Sequence, residues 1–262
     1  MHARFYAPGL SSGSLEVDLP PEEAEHLSRV LRLKAGDPVR VFDGRGREFR
    51  GKVDRVGRTA ATVILEGEVT PAGEPSVRLT LAQTVPKGDA MDRIVRDATM
   101  LGVASILPLV SARAEVSLRR LEASGRVERW QRIAVASVKQ CGRAVVPPIL
   151  QPETLEGCLG RVDGACRYLL AEPGLQWADP VGVRSVSAQP APACALLIVG
   201  PEGGWTEDEV EAARREGCTP LTLGPRTLRA DAAAAVAITA LQCAWGDLEP
   251  RGAGAPRPIR PR

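Results

Sequence analysis

Aromatic residues are scarce: three Phe, four Trp and two Tyr make up 3% of the 262 residues. Platforms that hold single-stranded nucleic acid stack bases on rings, and this chain has too few rings to build one. Histidine is scarcer still, with only His2 and His26. The six cysteines (Cys141, Cys158, Cys166, Cys194, Cys218, Cys243) are dispersed and include no C-x-x-C pair. Zinc-site spacing is therefore missing, and no carboxylate/histidine cluster suited to a metal hydrolase can be assembled. A Ser/His/Asp triad is excluded as well, because His26 is isolated. Neither G-x-x-x-x-G-K-[ST] nor a G-x-G-x-x-G after the first α/β strand occurs, which weakens P-loop and dinucleotide readings. Charge of one sign is not in excess: 34 basic and 32 acidic side chains leave a formal net charge of +2, so any nucleic-acid surface must be local. The longest apolar candidate, Ala230 to Trp245, is interrupted by Asp231, Thr239 and Gln242 and falls short of the roughly 20 residues that span a bilayer. The N-terminus lacks a cationic segment followed by an apolar one, so no signal peptide is expected. These absences predict a cytoplasmic protein with reduced thiols, no membrane span and no metal.

Hydrophobic (44%) and charged (25%) contents are those of an ordinary globular chain with ample material for a core. Residues 1–70 read as a small β-rich unit with one short helix. Pro20-Pro21-Glu22-Glu23 opens that helix, and Leu27, Val30 and Leu31 give it an apolar side. Val39 to Phe42, Asp43-Gly44 and Glu48 to Val53 have the pattern of a β-hairpin, since Asp-Gly supplies the positive φ of a tight turn. Thr59 to Leu65 offers another strand, and short strands between glycine turns predict a small barrel. The basic cluster Arg29, Arg32 and Lys34 suits a solvated helix end as well as an RNA backbone. Thr70 to Pro75 (TPAGEP) is the expected linker.

From residue 76 to 248 the rhythm changes to alternating strands and helices, which predicts an α/β domain. Leu79 to Val85, a helix capped by Asp89 and ending at Gly102, and Ser105 to Val110 make a βαβ unit. Lys87 stands at its first strand end. One long helix is expected from Leu118 to Cys141, with Val127, Trp130, Ile133, Ala134 and Val138 on one side. Arg129, Arg132, Lys139 and Arg143 lie on roughly the opposite side, as a wet face or a phosphate-binding stripe. Cys166 to Ala171 is a buried strand. The tail, 249–262, is rich in Arg, Pro and Gly, without apolar period, and is expected to be disordered.

The most informative stretch is Leu196 to Ala244. An apolar run ends on Gly200-Pro201-Glu202-Gly203-Gly204 and leads into a helix whose Thr206 and Glu209 have capping-box spacing, with Gly217 as its C′ glycine. A second run, Pro220 to Leu223, ends on Gly224-Pro225-Arg226-Thr227-Leu228-Arg229 and opens an Ala-rich helix from Asp231 to Trp245. Ligands of open α/β sheets collect at such strand ends, so the functional site is expected there, held mainly by backbone groups.

The segments HLSRVLRLKAGD (26–37), VFDGRGREF (41–49), LAQTVPKGDAMDRIVRDATMLGV (81–103), KQCGRAVVP (139–147), LLIVGPEGGWTEDE (196–209) and LGPRTLRADAA (223–233) resemble the RsmE family of ribosomal RNA methyltransferases, within the SPOUT (trefoil-knot) superfamily. The resemblance spans nearly the whole chain except the tail. It implies a PUA-like β-barrel that helps dock RNA, followed by a knotted α/β domain binding S-adenosylmethionine (SAM). It also implies a homodimer that methylates uracil N3 at a specific uridine of 16S ribosomal RNA, in an assembled or assembling small subunit. Another SPOUT activity, ribose 2′-O methylation, and a non-catalytic RNA-binding protein are the rival readings.

On that resemblance the cofactor would contact Leu170, Leu197, Gly200, Pro201, Glu202, Gly203, Gly204, Leu223, Gly224 and Leu228. Uracil N3 is protonated at neutral pH, so transfer needs proton removal or stabilisation of the anion. Arg229 is the candidate anion stabiliser, because its charge is permanent and acts strongly in a dry pocket. Glu202 is a second catalytic candidate, as base or as the stabiliser of its own helix N-terminus. The candidate RNA contacts are Arg4, Arg29, Arg32, Lys34, Lys87, Arg132, Lys139, Arg143 and Arg226. One departure stands out: relatives carry Thr-Glu-Thr where this chain has Ala230-Asp231-Ala232, so neither flanking hydroxyl is available for catalysis.

Overall fold

The computed structural model describes residues 2–11, 13–57, 59–160, 166–175, 177 and 179–248. The tail expected to be disordered, 249–262, lies outside the described residues.

Strands β1 (Ala3–Tyr6), β2 (Glu16–Asp18), β3 (Pro38–Phe42), β4 (Glu48–Val56) and β5 (Ala61–Val69) form one sheet in the order β1-β3-β4-β5-β2. Only the β1–β3 pair is parallel. Helix α1 (Pro21–Glu25), continued by a π-type turn over His26–Val30, closes over it. Phe5, Val17, Leu27, Val39, Val41, Val53 and Val63 meet in a single buried cluster, one face of each alternating strand supplying it. Asp43 organises the β3–β4 turn as a buried acceptor: its Oδ1 takes the N–H groups of Arg45 (2.7 Å) and Arg47 (3.0 Å).

The second sheet is all parallel, in the order β11-β9-β10-β6-β7-β8. Its strands are β6 (Arg78–Thr84), β7 (Ser105–Val110), β8 (Glu153–Thr154), β9 (Cys166–Ala171), β10 (Cys194–Val199) and β11 (Thr219–Thr222). Connecting helices are α2 (Ala90–Met100), α3 (Leu118–Glu122), α4 (Arg126–Cys141), α5 (Leu155–Leu159), α6 (Val183–Ser187), α7 (Glu207–Arg215) and α8 (Ala230–Ala244). Strand β10 is buried on both faces, which explains its unbroken apolar run. Ala195, Leu197 and Val199 join the core under α2, α4 and α8, while Leu196 and Ile198 join the one under α5 and α7. Among the described residues no helix is long and apolar enough to cross a membrane.

The single helix expected from Leu118 to Cys141 is two helices. Ser117 caps α3 by accepting from Arg120 N–H, Ser124 folds back on the Leu121 carbonyl, and Gly125 at φ +64° starts α4 on a new axis. Helix α8 starts one residue before the expected Asp231 and stops one before Trp245. The short elements α5 and α6 were not expected, having too few turns to display a period.

The two sheets are joined where α4 ends. Gly46 N–H donates to the Ala144 carbonyl (3.1 Å) and Val146 N–H to that of Gly44 (2.9 Å), while Phe42 packs with Val138 and Ala144. Arg4 and Arg143 hold this junction. Arg4 binds the Glu48 carboxylate at 2.9 and 3.0 Å and donates to the carbonyls of Val138 (2.7 Å), Lys139 (3.1 Å) and Arg143 (2.7 Å), capping α4 with a charge its C-terminus attracts. Arg143 is only 4% exposed; it pairs with Glu74 and donates to the carbonyls of Thr99 (2.6 Å) and Val103 (3.1 Å).

Candidate functional site

Three neighbouring strands, β10, β9 and β11, end on the same edge of the parallel sheet, and their loops surround an open cleft. Leu170 and Glu172 come from the end of β9, Gly200, Pro201, Glu202 and Gly204 from the end of β10, and Leu223, Gly224, Arg226 and Leu228 from the end of β11. Val199, Trp205, Thr227, Ala230 and Ala233 complete the walls.

The β10 loop is held in shape from within. Gly204 N–H closes a turn on the Pro201 carbonyl (3.0 Å), and Gly204 takes φ +69°. The turn feeds a complete capping box: Thr206 accepts from Glu209 N–H (3.2 Å) while the Glu209 carboxylate accepts from Thr206 N–H (2.9 Å). Trp205 lies beneath Gly200, where a Cβ would come within 2.8 Å of the indole, and its Nε1 donates to the Leu170 carbonyl (3.4 Å). A side chain at Gly200 would strike Trp205 and one at Gly204 the Glu172 carboxylate, whereas Gly224 meets open space, where a ligand can approach the main chain.

Two residues expected in the cleft do not line it. Leu197 is fully buried, because strand alternation turns it into the core beneath the helices. Gly203 sits on the outer side of its loop, with Arg113 packed where a side chain would be. Arg229 was expected in a dry pocket; its side chain is instead 84% exposed and leans on Asp231 (3.4 Å). Glu202 does line the cleft, and its Oε1 accepts from Lys87 N–H (3.4 Å). Asp231 is held by Arg93 (2.9 Å), and this hydrogen bond keeps its carboxyl below the usual carboxylate range.

The candidate RNA cations are dispersed. Arg4 and Arg143 are engaged in the inter-sheet junction, and Lys139 holds Glu23 (2.8 Å) while stacking on Phe5, so these three side chains are committed to architecture. Arg29 pairs with Glu25, and Lys87 with Glu115 (2.5 Å), a contact that raises the Lys87 pKa. Arg32, Lys34, Arg132 and Arg226 are exposed. Arg32 sits at φ +54° just after the π-type turn. Among the described residues no group of three or more His, Cys, Asp or Glu is placed to hold a metal ion. Cys218, behind the site, is an inert thiol: burial pushes its pKa up to about 11.

The sequence reading missed Arg113, Trp205 and Arg93. Trp205 is detectable in principle from GPEGGW, as the one large ring beside the glycines. Arg113 and Arg93 carry no local signal, because their partners lie 90 and 138 residues away.

The lining suits a ligand with apolar faces and positive charge: Leu170, Leu223 and Leu228 offer apolar walls, and Glu172 and Glu202 offer carboxylates. Comparison with known proteins agrees with this arrangement. A model described as the RNA methyltransferase domain matches residues 73–242, and one described as the RNA methyltransferase PUA domain matches residues 19–66. The ribosomal RNA small subunit methyltransferase E of Synechocystis sp. is 33% identical over 85% of this chain and 71% of its own. The protein of that name from Bacillus subtilis is 28% identical over 84% and 87%. The crystal structure of the Neisseria gonorrhoeae protein of that name, bound to SAM, superposes with a TM-score of 0.83 at 32% identity, covering 95% of this chain and all of the other. A Legionella pneumophila structure with bound SAM gives a TM-score of 0.84 at 30% identity, covering 93% and 98%. The chain therefore belongs to the RNA methyltransferase family, as a member of its ribosomal RNA small subunit methyltransferase E (RsmE) branch with a PUA domain before the methyltransferase domain.

Proposed function

We propose that this protein binds SAM in the cleft between the β9, β10 and β11 loops and methylates N3 of a uracil in 16S ribosomal RNA, in the cytoplasm and as a homodimer. The observation that carries the reading is the cleft itself: three glycines, apolar walls and two carboxylates, in a fold of which two relatives were solved bound to SAM. Bound SAM supplies an electrophilic methyl group on a positively charged sulfur. Glu172 and Glu202 complement that charge, while Leu170, Leu223 and Leu228 hold the apolar part.

The uracil must lose its N3 proton as the new N–C bond forms, leaving charge on O2 and O4 in the transition state. Arg229, at the N-cap of α8 between the cleft residues Leu228 and Ala230, is proposed as the cation that receives it. Its exposure means that the low dielectric it needs comes from what covers it, the bound RNA or a second copy of the chain. Asp231 is a poor proton acceptor, since Arg93 stabilises its ionised form. Glu172 and Glu202 are the carboxylates left at the cleft. The exposed Arg29, Arg32 and Lys34 on the front domain, with Lys87, Arg132 and Arg226, are proposed to meet RNA phosphates.

The test is calorimetric titration with SAM, followed by methyl transfer to undermethylated small subunits and mass mapping of the product. Binding with a mapped N3-methyluridine is expected. A methylated ribose would overturn the reaction, and no binding would overturn the site.

A further inference from the structure

We infer that Arg113, together with Glu209, is a positioning pair for the cofactor: a latch from the β7 loop that sets the β10 loop in its ligand-binding shape before the ligand arrives. Arg113 follows β7, two strands away from β10 in the sheet, and does not line the cleft. Its Nη1 donates to the Gly203 carbonyl at 2.7 Å, and its aliphatic stem fills the space beside the Gly203 Cα, where a Cβ would sit 3.4 Å from Arg113 Cβ. The neighbouring Ala112 N–H donates to Glu209 Oε1 at 2.8 Å, while Oε2 of the same carboxylate accepts from Thr206 N–H at 2.9 Å. One carboxylate therefore closes the helix cap and ties it to the β7 loop. One guanidinium fixes which way the Gly203 carbonyl points.

That second contact has a consequence for binding. Gly203 and Gly204 carry no side chain to restrain them, and glycine has the largest backbone freedom to lose. The inner bond from Gly204 N–H to the Pro201 carbonyl fixes one end of the turn; the Gly203 carbonyl faces outward, and Arg113 is its partner. Without Arg113 the peptide between the two glycines is freer to rotate, and a ligand must then supply the ordering that the latch supplies in advance. Such preorganisation shows itself as affinity, not as chemistry. Arg113 is exposed, so its loss removes no core packing.

The inference rests on the cleft being a SAM site, and the experiment separates the two. SAM affinity is measured by calorimetry on the unmodified protein, Arg113→Met, Arg113→Lys and Glu209→Gln, with thermal unfolding and steady-state methyl transfer alongside. Arg113→Met keeps the stem and drops the donor; its Kd and KM for SAM are expected to rise about fivefold to tenfold, with kcat within about twofold and the melting temperature nearly unchanged. Arg113→Lys, which retains one donor, recovers most of the affinity, and Glu209→Gln, which retains one acceptor, falls between. If the unmodified protein does not bind SAM, the cleft assignment fails. If it binds and Arg113→Met binds equally well, the latch fails. A rise in KM for the RNA alone, with SAM affinity intact, would also overturn the latch and make Arg113 a phosphate contact.

Discussion

Arg93 on α2 and Asp231 on α8 meet at 2.9 Å, so the first turn of the last helix is tied to the first helix of the α/β domain. Asp231 Oδ1 also accepts from Ala232 N–H (3.0 Å) and lies 3.4 Å from Arg229 Nε. Asp231 thus serves as an anchor between two cations. It restrains Arg229 without covering it.

Because Arg93 lowers the folded-state pKa of Asp231, the pair stabilises the fold above the unfolded carboxylate value, about pH 4, and the contribution disappears as pH falls through the lower folded value. Asp231→Asn should cost about 0.5 kcal/mol at neutral pH, since Arg93 is half exposed and solvent screens the pair. The difference in melting temperature between the two proteins, roughly 1–2 °C, should be constant from pH 5 to 8, shrink below about pH 4 and vanish only below the folded value. A difference undiminished at pH 3 would assign the effect to something other than this ion pair.

Arg229→Ala tests the catalytic assignment. Arg229 does not line the cleft and its side chain is 84% exposed, so SAM affinity should change less than about twofold. If Arg229 meets the developing charge on uracil, kcat should fall by about 10²-fold or more, the range for losing one donor to a transition-state anion. Equal losses in SAM affinity and kcat would remove it from the chemistry.

Much of the fold was legible because its signals are local. The capping box of Thr206 and Glu209 is a four-residue pattern, and the apolar run of β10 announces a strand covered on both faces. The glycine loops at the ends of β10 and β11 marked the cleft, and nearly all of its expected residues line it. What sequence could not show is direction and distant partnership. Leu197 and Val199 share a face, yet only Val199, at the strand's end, reaches the cleft. Arg4, Lys139 and Arg143 looked like the wet cations beside them, and nothing in their spacing reveals acceptors more than 60 residues away. Threading of the chain, likewise, was carried by resemblance and by no countable pattern.

Arg143 yields a stability prediction. It is 4% exposed and donates to Glu74, Thr99 and Val103 at once, so Arg143→Ala removes all of these bonds together. Glu74 keeps a third of its side chain in solvent, so the loss is about 1–3 kcal/mol, the range for hydrogen bonds from a charged donor. Denaturant titration should show a loss of that order, whereas Arg132→Ala, at an exposed side chain on α4, should stay within about 0.5 kcal/mol. Small losses in both would mean that the junction is held by its apolar contacts around Phe42 and not by charge.

Gly204 is where backbone conformation and the cleft coincide. Its φ of +69° is open to glycine, and an added Cβ would overlap the Glu172 carboxylate. The carboxylate can swing aside, being the end of a flexible chain, but the left-handed conformation costs an L residue about 1–2 kcal/mol wherever the side chain goes. Gly204→Ala should therefore lower stability by about that amount and also distort the turn that presents Gly200 and Glu202, so SAM affinity should drop about tenfold or more. Glu172→Ala separates the two causes. In the double variant the steric overlap is gone and the φ cost remains, so affinity should stay low if loop conformation governs binding. It should recover toward that of Glu172→Ala alone if the displaced carboxylate was the damage.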